Sequence, residues 1–388
     1  MKYDYIVVGA GISGLSASYH ASLKGMNGLI LEAKNQIGGC IETALVDDFK
    51  IELGAHSCFN SYSGLLEILA KLDSSPTLIS LEKLPFLLFE GEKPRPIIKG
   101  INIPELIFSL FKILYLKKQD KSVQQYYGGL VGKSNYKNVI AHALSAVSCQ
   151  NVSDMPADFL FQKRRKNKQY PKKFSTTDGM SGIVNALASE LGIKLNSKIN
   201  QIIKKPNGWQ IKTESDNYQT EKLIMAIPAQ NAAQLLQNSL PDLADALRQI
   251  KTTHFDSLAV LVNDKLETIK PNAGWVGVDT VIYSMVSADT ANQPSNIRGF
   301  SFHFKPDSCS QTQQKQQVLR WLNIKEDQVV NFFHKKNQLP IIDFNHQEKL
   351  NKIDQLAPKN LAICGNFFQG MAIEDCIQRA KSQINSLM

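Results

Sequence analysis

Along this chain the spacing of apolar positions changes in steps, and each step marks an element. Residues 3–8 (YDYIVV) form a nearly unbroken apolar run, the pattern of a strand buried on both faces. A helical stretch rich in small residues follows to about Lys24, and residues 28–31 form a second short strand. Helical spacing recurs over 63–72, and residues 84–89 read as an apolar strand before the turn Gly91-Glu92-Lys93-Pro94. Residues 101–116 are almost wholly apolar. Their polar members Asn102, Glu105, Ser109 and Lys112 fall three and four apart, in one narrow helical stripe, with Pro104 suited to the first turn. Residues 135–147 continue this helical region. Within residues 175–192, Thr177 or Asp178 can cap the helix that follows, and beyond it two alternating strands flank Pro206-Asn207-Gly208, a strong hairpin signal. A buried strand over 222–228 comes next. Further strands are predicted at 258–262, 275–278, 282–286 and 299–304, a helix at 311–321, and a final strand–turn–helix from Asn360 onward.

The first step carries chemistry. Between strand and helix lies Gly9-Ala10-Gly11-Ile12-Ser13-Gly14, a GxGxxG. Gly9 permits a sharp turn, Gly11 lets the backbone approach a pyrophosphate, and Gly14 lets the helix sit close on the sheet. The helix N-terminus offers free N–H groups and a positive dipole end to the phosphates. Glu32 ends the second strand, where a carboxylate can accept hydrogen bonds from ribose hydroxyls. Strand, glycines, helix, strand and acid in this order predict a dinucleotide site. Gly38-Gly39 then allow a second close backbone approach to a large ligand.

Composition narrows the picture. The 388 residues suffice for two or three domains, and the 43% hydrophobic and 20% charged content is that of a soluble globular protein. The net charge of +9 favours anionic ligands or anionic surfaces. No nucleic-acid-binding signature is visible, so no nucleic acid partner is expected. The six cysteines are scattered with no CxxC, which predicts buried free thiols in a reducing cytoplasm and no metal site. No secretory leader is expected, since the first strand begins at once. The run 101–116 is too short for a membrane span. Its plainer reading is a buried helix of a second lobe. The sharper one is a membrane-docking or substrate-channel helix, helped by Lys117, Lys118 and Lys121. The basic run Lys163-Arg164-Arg165-Lys166 reads as a solvated loop, with contact to acidic lipid or another protein as the alternative.

Taken with Ile37-Gly38-Gly39-Cys40-Ile41-Glu42-Thr43 and Glu52-Leu53-Gly54-Ala55-His56, the sequence resembles the flavin-containing amine oxidase and protoporphyrinogen oxidase superfamily. Amine oxidases usually flank the double glycine with Arg. Here Gln36 and Cys40 stand there, and Ile41 and Thr43 follow, as in the protoporphyrinogen oxidase branch. The resemblance extends to the helix–hairpin–Ala226-Ile227-Pro228 series and to the closing Gly365-Asn366…Gly370-Met371-Ala372-Ile373. It implies an α/β fold: a Rossmann-like FAD-binding domain of the glutathione-reductase type, a discontinuous α+β substrate domain and a helical lobe. The FAD-binding domain would comprise residues 1–83, 175–230 and 345–388. The substrate domain would comprise 84–96 and 231–344, and the lobe 97–174.

The resemblance also assigns roles. Noncovalent FAD would be held by Gly9 to Gly14, Glu32, Ala33, Gly38, Gly39, Cys40, Gly54, Ala55, His56, Ile199 (beside the adenine half), Gly365, Asn366 and the segment from Gly370 to Ile373. Arg95, just before a proline, matches an arginine that pairs with a substrate propionate; a solvated turn arginine is the alternative. Phe300 and Phe302 alternate with Ser301 and share one face, which could line an apolar pocket or pack in the core. No catalytic side chain is expected, because the flavin performs the hard step. The implied reaction is hydride transfer from a porphyrinogen (protoporphyrinogen IX or coproporphyrinogen III) to flavin N5, followed by reoxidation by O₂ or another acceptor. Oxidation of an amine or another C–H donor is the nearest alternative. A non-catalytic binding protein of GDP-dissociation-inhibitor type is a further one. Location would be cytoplasmic, with peripheral membrane contact as a further possibility.

Overall fold

The strand Lys2–Val8 lies in the middle of the first of two large sheets in the computed structural model, which describes residues 2–263, 269–293 and 295–387. Its apolar run is explained by its neighbours. It pairs in parallel with Gly28–Leu31 on one side and Asn217–Met225 on the other, with Val8 opposite both Leu31 and Met225. Leu361–Ile363 adds to Asn217–Met225 in parallel, so Ile363 also ends level with Val8. The carboxyl ends of strands from the start, middle and end of the chain therefore share one edge, the place where open parallel sheets bind ligands. The Asn-Gly turn closes the hairpin Ile199–Lys205 with Gly208–Thr213 in the same sheet. The helices Ile12–Ser22 and Ile373–Leu387 pack side by side on one face, with Leu15, Ala17, Ile377 and Ala380 in their shared core.

The second sheet runs in the order Val329–Pro340, Thr252–Asn263, Ile297–Phe304, Ile282–Ser287, Gly274–Gly277, Phe86–Glu90, Lys93–Pro96. One face buries Phe89, Trp275, Phe300, Phe302 and Phe304 against Val318, Trp321 and Leu322 of the helix Gln311–Leu322. The opposite face meets the first domain through Ala259 and Leu261 on Phe49, Ile51 and Leu53. Farther along, Leu88, Val276 and Val278 meet Val139 of the helical region.

Three local expectations change. The helix expected to follow Thr177 or Asp178 begins a little later, as Ser181–Ala188, behind a strand, Lys173–Thr176. Neither Thr177 nor Asp178 caps it. Its first N–H groups are met from afar: Met180 N–H donates to Glu52 Oε1 at 2.8 Å and Ser181 N–H to Thr43 Oγ1 at 3.0 Å. Burial pushes the Glu52 carboxyl up to about 7. The helix Val123–Val131 was not anticipated, although Ser122 and Gln125 form a reciprocal capping box that the sequence spells out.

The third change concerns residues 101–116. They form the helix Ile103–Leu110 and a tighter turn, Phe111–Leu114, but the helix is not buried. Its polar stripe, Lys112 excepted, turns toward the neighbouring helices. Glu105 accepts the N–H groups of Ser134 and Asn135 at 3.0 and 3.1 Å, Asn102 and Asn135 exchange hydrogen bonds, and Ser109 is buried. The apolar side faces out, with Phe108 75%, Phe111 73%, Leu114 82% and Tyr115 86% exposed. Among the described residues no helix is long and apolar enough to cross a membrane.

Candidate active site

The glycines of the first turn divide their work. Gly9 has φ +100°, and a Cβ there would meet Ala226 O at 2.8 Å. A Cβ at Gly14 would lie 2.0 Å from Gly9 O, so the helix rests directly on the turn. Gly11 is different, because the nearest atom to a Cβ there is Gly39 Cα at 3.9 Å. Nothing in the protein requires glycine at that position, so the requirement points to a ligand. No side chain caps the helix Ile12–Ser22, which leaves its first N–H groups for an anion. Gly38 is tied to this turn through its N–H to Ala10 O at 2.9 Å, and its own φ is +105°. Glu32 accepts Ala10 N–H at 2.8 Å and Lys34 N–H at 2.9 Å, one on each oxygen, leaving lone pairs for hydroxyl donors.

These parts open onto one cavity of 790 Å³. Gly9, Gly11, Ile12, Ser13, Glu32 and Ala33 wall one end, and Ile199 lines it from the hairpin. Gly38, Gly39, Cys40 and Ala55 wall the middle, and Gly365, Asn366, Met371 and Ile373 complete it from the end of the chain. The other predicted cofactor positions lie just behind this wall. Ala10 and Gly14 are buried in the turn, and Gly54 packs on Cys40 O. Gly370 leaves room for the Asp375 carboxylate, which accepts Ala372 N–H at 3.1 Å. His56 faces a neighbouring cavity of 300 Å³.

Several residues at the site were not anticipated. Lys335 Nζ reaches across from the second sheet to Gly39 O and Glu42 Oε2, both at 2.9 Å, and lines the cleft as a fixed cation. Asn337 also lines it. Its amide N–H groups go to Leu53 O and Ser257 Oγ, both at 3.0 Å, while its buried Oδ1 has no protein partner. His303 meets His56, Nε2 to Nε2, at 2.8 Å. Burial holds the His303 imidazole down at about 4 and pushes His56 well below its ordinary value, so both rings are neutral at pH 7. Only the strand register of the second sheet brings Lys335 and Asn337 to the cleft and His303 to His56 beside it.

Three sequence expectations are corrected. Phe300 and Phe302 are fully buried in the aromatic core and line none of the three cavities described. The alternation is as read, but Ser301 and His303, not the phenylalanines, face the first domain. Arg95 pairs with Glu90 through Nε at 2.9 Å and a second, shorter bond. It lines a groove of 1870 Å³ against the helical region, which shares no lining residue with the cleft. The basic run is not wholly solvated. Arg164 lies over the Tyr62 ring and forms an ion pair with buried Asp375, while Gln162 donates to Gln369 O, strapping this loop over the final motif.

A parallel sheet with a glycine turn, an acid at the second strand's end and a cleft walled by both ends of the chain defines a dinucleotide-binding flavoprotein fold. The free space beside Gly11, the uncapped helix and the orphaned Asn337 Oδ1 fit such a cofactor. Residues 7–72 match the NAD(P)-binding Rossmann-like domain model, and residues 117–280 match that of flavin containing amine oxidoreductases. The chain is thus similar to flavin-containing amine oxidoreductases, and that likeness implies FAD as its cofactor. It is 25% identical over 283 residues to the "Probable flavin-containing monoamine oxidase A" of Dictyostelium discoideum, covering 64% of this chain and 62% of that one. The fold is similar to that of a "Putative protoporphyrinogen oxidase" from Exiguobacterium sp. 255-15, with TM-score 0.82, 18% identity, and 99% and 98% of the two chains covered. It is also similar to a putrescine oxidase double mutant, with TM-score 0.76, 12% identity, and 100% and 99% covered.

Proposed function

We propose that the protein is an FAD-dependent oxidoreductase that removes a hydride from a porphyrinogen, either protoporphyrinogen IX or coproporphyrinogen III, with O₂ or another acceptor taking the electrons onward. The observation that carries the oxidoreductase reading is the single cleft that runs from Gly11 to Met371. FAD would supply the hydride acceptor. The chain's part is positioning: Gly11 and the first helix would hold the pyrophosphate, Glu32 the adenosine ribose, and the Gly365 to Ile373 segment the ring. The non-Arg residues beside the double glycine, Gln36 and Cys40, support the porphyrinogen branch. A second reading, oxidation of an amine, is supported by the family model and the Dictyostelium relative. Anaerobic mixing separates the two. Bleaching of the flavin by porphyrinogens and not by a panel of amines is expected, and the reverse pattern would replace the substrate assignment. A colourless purified protein that releases no flavin on denaturation would instead favour the GDP-dissociation-inhibitor type.

The inverted helix supports a peripheral membrane contact. Phe108, Phe111, Leu114 and Tyr115 stand in solvent beside Lys112 and Lys117, the combination that inserts at an anionic lipid surface. Sedimentation with anionic liposomes at low salt is expected to carry the protein down. A protein left wholly in the supernatant would remove this part of the reading.

A further inference from the structure

We propose that the 300 Å³ cavity lined by His56 and Lys173 is a carboxylate subsite, holding an acidic arm of the substrate next to the flavin cleft. The proposal rests on the oxidoreductase reading above and narrows its substrate to molecules that carry a carboxylate.

The His56 ring is held by a chain of contacts that starts at one backbone carbonyl. Leu53 O can only accept, so the amide of Asn337 turns its NH₂ toward it and gives its second hydrogen to Ser257 Oγ. Ser257 Oγ lies 3.0 Å from His303 Nδ1, and His303 Nε2 lies 2.8 Å from His56 Nε2. Burial keeps both rings neutral. With the Ser257 hydrogen on His303 Nδ1, His303 donates from Nε2 and His56 carries its hydrogen on Nδ1, where no protein group among the described residues accepts it. A carboxylate in the cavity that His56 lines would select this arrangement over the reverse one.

The cavity also holds a cation without a partner. Lys173 lies in the strand Lys173–Thr176, where partial burial lowers the pKa of its ammonium. Lys335, Arg298 and Arg379 each meet a carboxylate, of Glu42, Asp289 and Asp354 respectively. Lys173 meets none among the described residues. A half-buried ammonium left unpaired is costly, and an anionic ligand would relieve that cost. Two acids line the same cavity, Asp48 at its exposed rim and Glu52. The Glu52 carboxyl is already taken up by Met180 N–H and the Thr43 hydroxyl, and burial holds it up at about 7. His56 and Ala55 are adjacent, and Ala55 lines the flavin cleft, so the two spaces meet across one peptide unit. The volume suits an acid arm, not a whole macrocycle.

The test titrates the flavin-loaded protein with hexanoate and with hexylamine, an uncharged-tail pair of opposite head charge. Binding is followed by perturbation of the flavin absorbance and by calorimetry. Hexanoate is expected to bind and hexylamine not to. Lys173→Met should weaken hexanoate binding about tenfold or more, and Lys173→Arg should restore most of it. Lys173 lies off the flavin cleft, so both variants should keep their flavin. Failure of hexanoate to bind, equal binding of hexylamine, or hexanoate binding indifferent to Lys173→Met would each overturn the subsite. The comparison on unmodified protein stands even if a variant folds poorly. Hexanoate binding through Lys173 without bleaching by porphyrinogens would leave the subsite and remove the porphyrinogen. Bleaching without Lys173 dependence would do the opposite.

Discussion

The first turn and the helix Ile103–Leu110 use the same alphabet to opposite ends. At the turn, small residues bury themselves and leave backbone N–H groups to a ligand. On the helix, polar side chains serve the interior and large apolar ones are left in water. The turn is organised by residues adjacent in sequence. The helix is organised by Asn135, some thirty positions away, whose N–H draws Glu105 inward. Local geometry decides the first case and tertiary demand the second. Apolar surface that the fold leaves out must find its burial elsewhere.

The sharpest way to break the comparison is at the glycines. Gly11→Val is expected to leave the circular dichroism spectrum intact while cutting retained flavin at least about tenfold, because only the ligand's space is invaded. Gly14→Ala should act on the fold itself, costing about 1–3 kcal/mol in chemical denaturation, since its Cβ falls on Gly9 O. If both variants lost flavin and stability in equal measure, the division of labour would be wrong.

On the helix the pattern should reverse. Phe108→Ser with Phe111→Ser is expected to leave stability within about 0.5 kcal/mol per exposed site, yet to reduce binding to anionic liposomes severalfold. A large drop in thermal stability would show that these rings are covered within the protein.

The Glu52 carboxyl gives a smaller, pH-resolved effect. Its folded-state value is raised from 4.5 to about 7, so the native state holds a proton that the unfolded chain has already lost. Stability should therefore fall as pH rises from about 4.5 to 7. Glu52→Gln should flatten the melting temperature over that window, and an unchanged slope would place the titration elsewhere. The smallest effect is expected at Arg95. Because it pairs with Glu90 in a separate groove, Arg95→Ala should leave the Michaelis constant for a porphyrinogen within about twofold. A tenfold rise would return it to a role in substrate binding.

What the sequence made legible follows the same division. Gly9, Gly11, Gly14 and Glu32 could be read because their geometry is set within one strand–helix–strand unit. The hairpin was legible for the same reason, through Asn207-Gly208. Lys335, Asn337 and His303 were not, since the first two reach the cleft, and His303 reaches His56 beside it, from the second sheet, where the register of Ser257 opposite both Lys335 and His303 decides what lies together. Phe300 and Phe302 show the halfway case. Their shared face was evident, but its direction depended on Trp275 and Trp321 completing an aromatic core. The cap on the helix Ser181–Ala188 was misplaced because Glu52 and Thr43 come from far earlier in the chain.

One feature of the cleft bears on how the protein is made. Gly11 and Ile373 wall the same space, and Leu361–Ile363 must join the first sheet before the final helix can close it. A ribosome that has already released the glycine turn has not yet built the opposite wall. The cleft is complete only once Ile373 has cleared the ribosome, and until then the emerging chain keeps its nucleotide cradle open on one side.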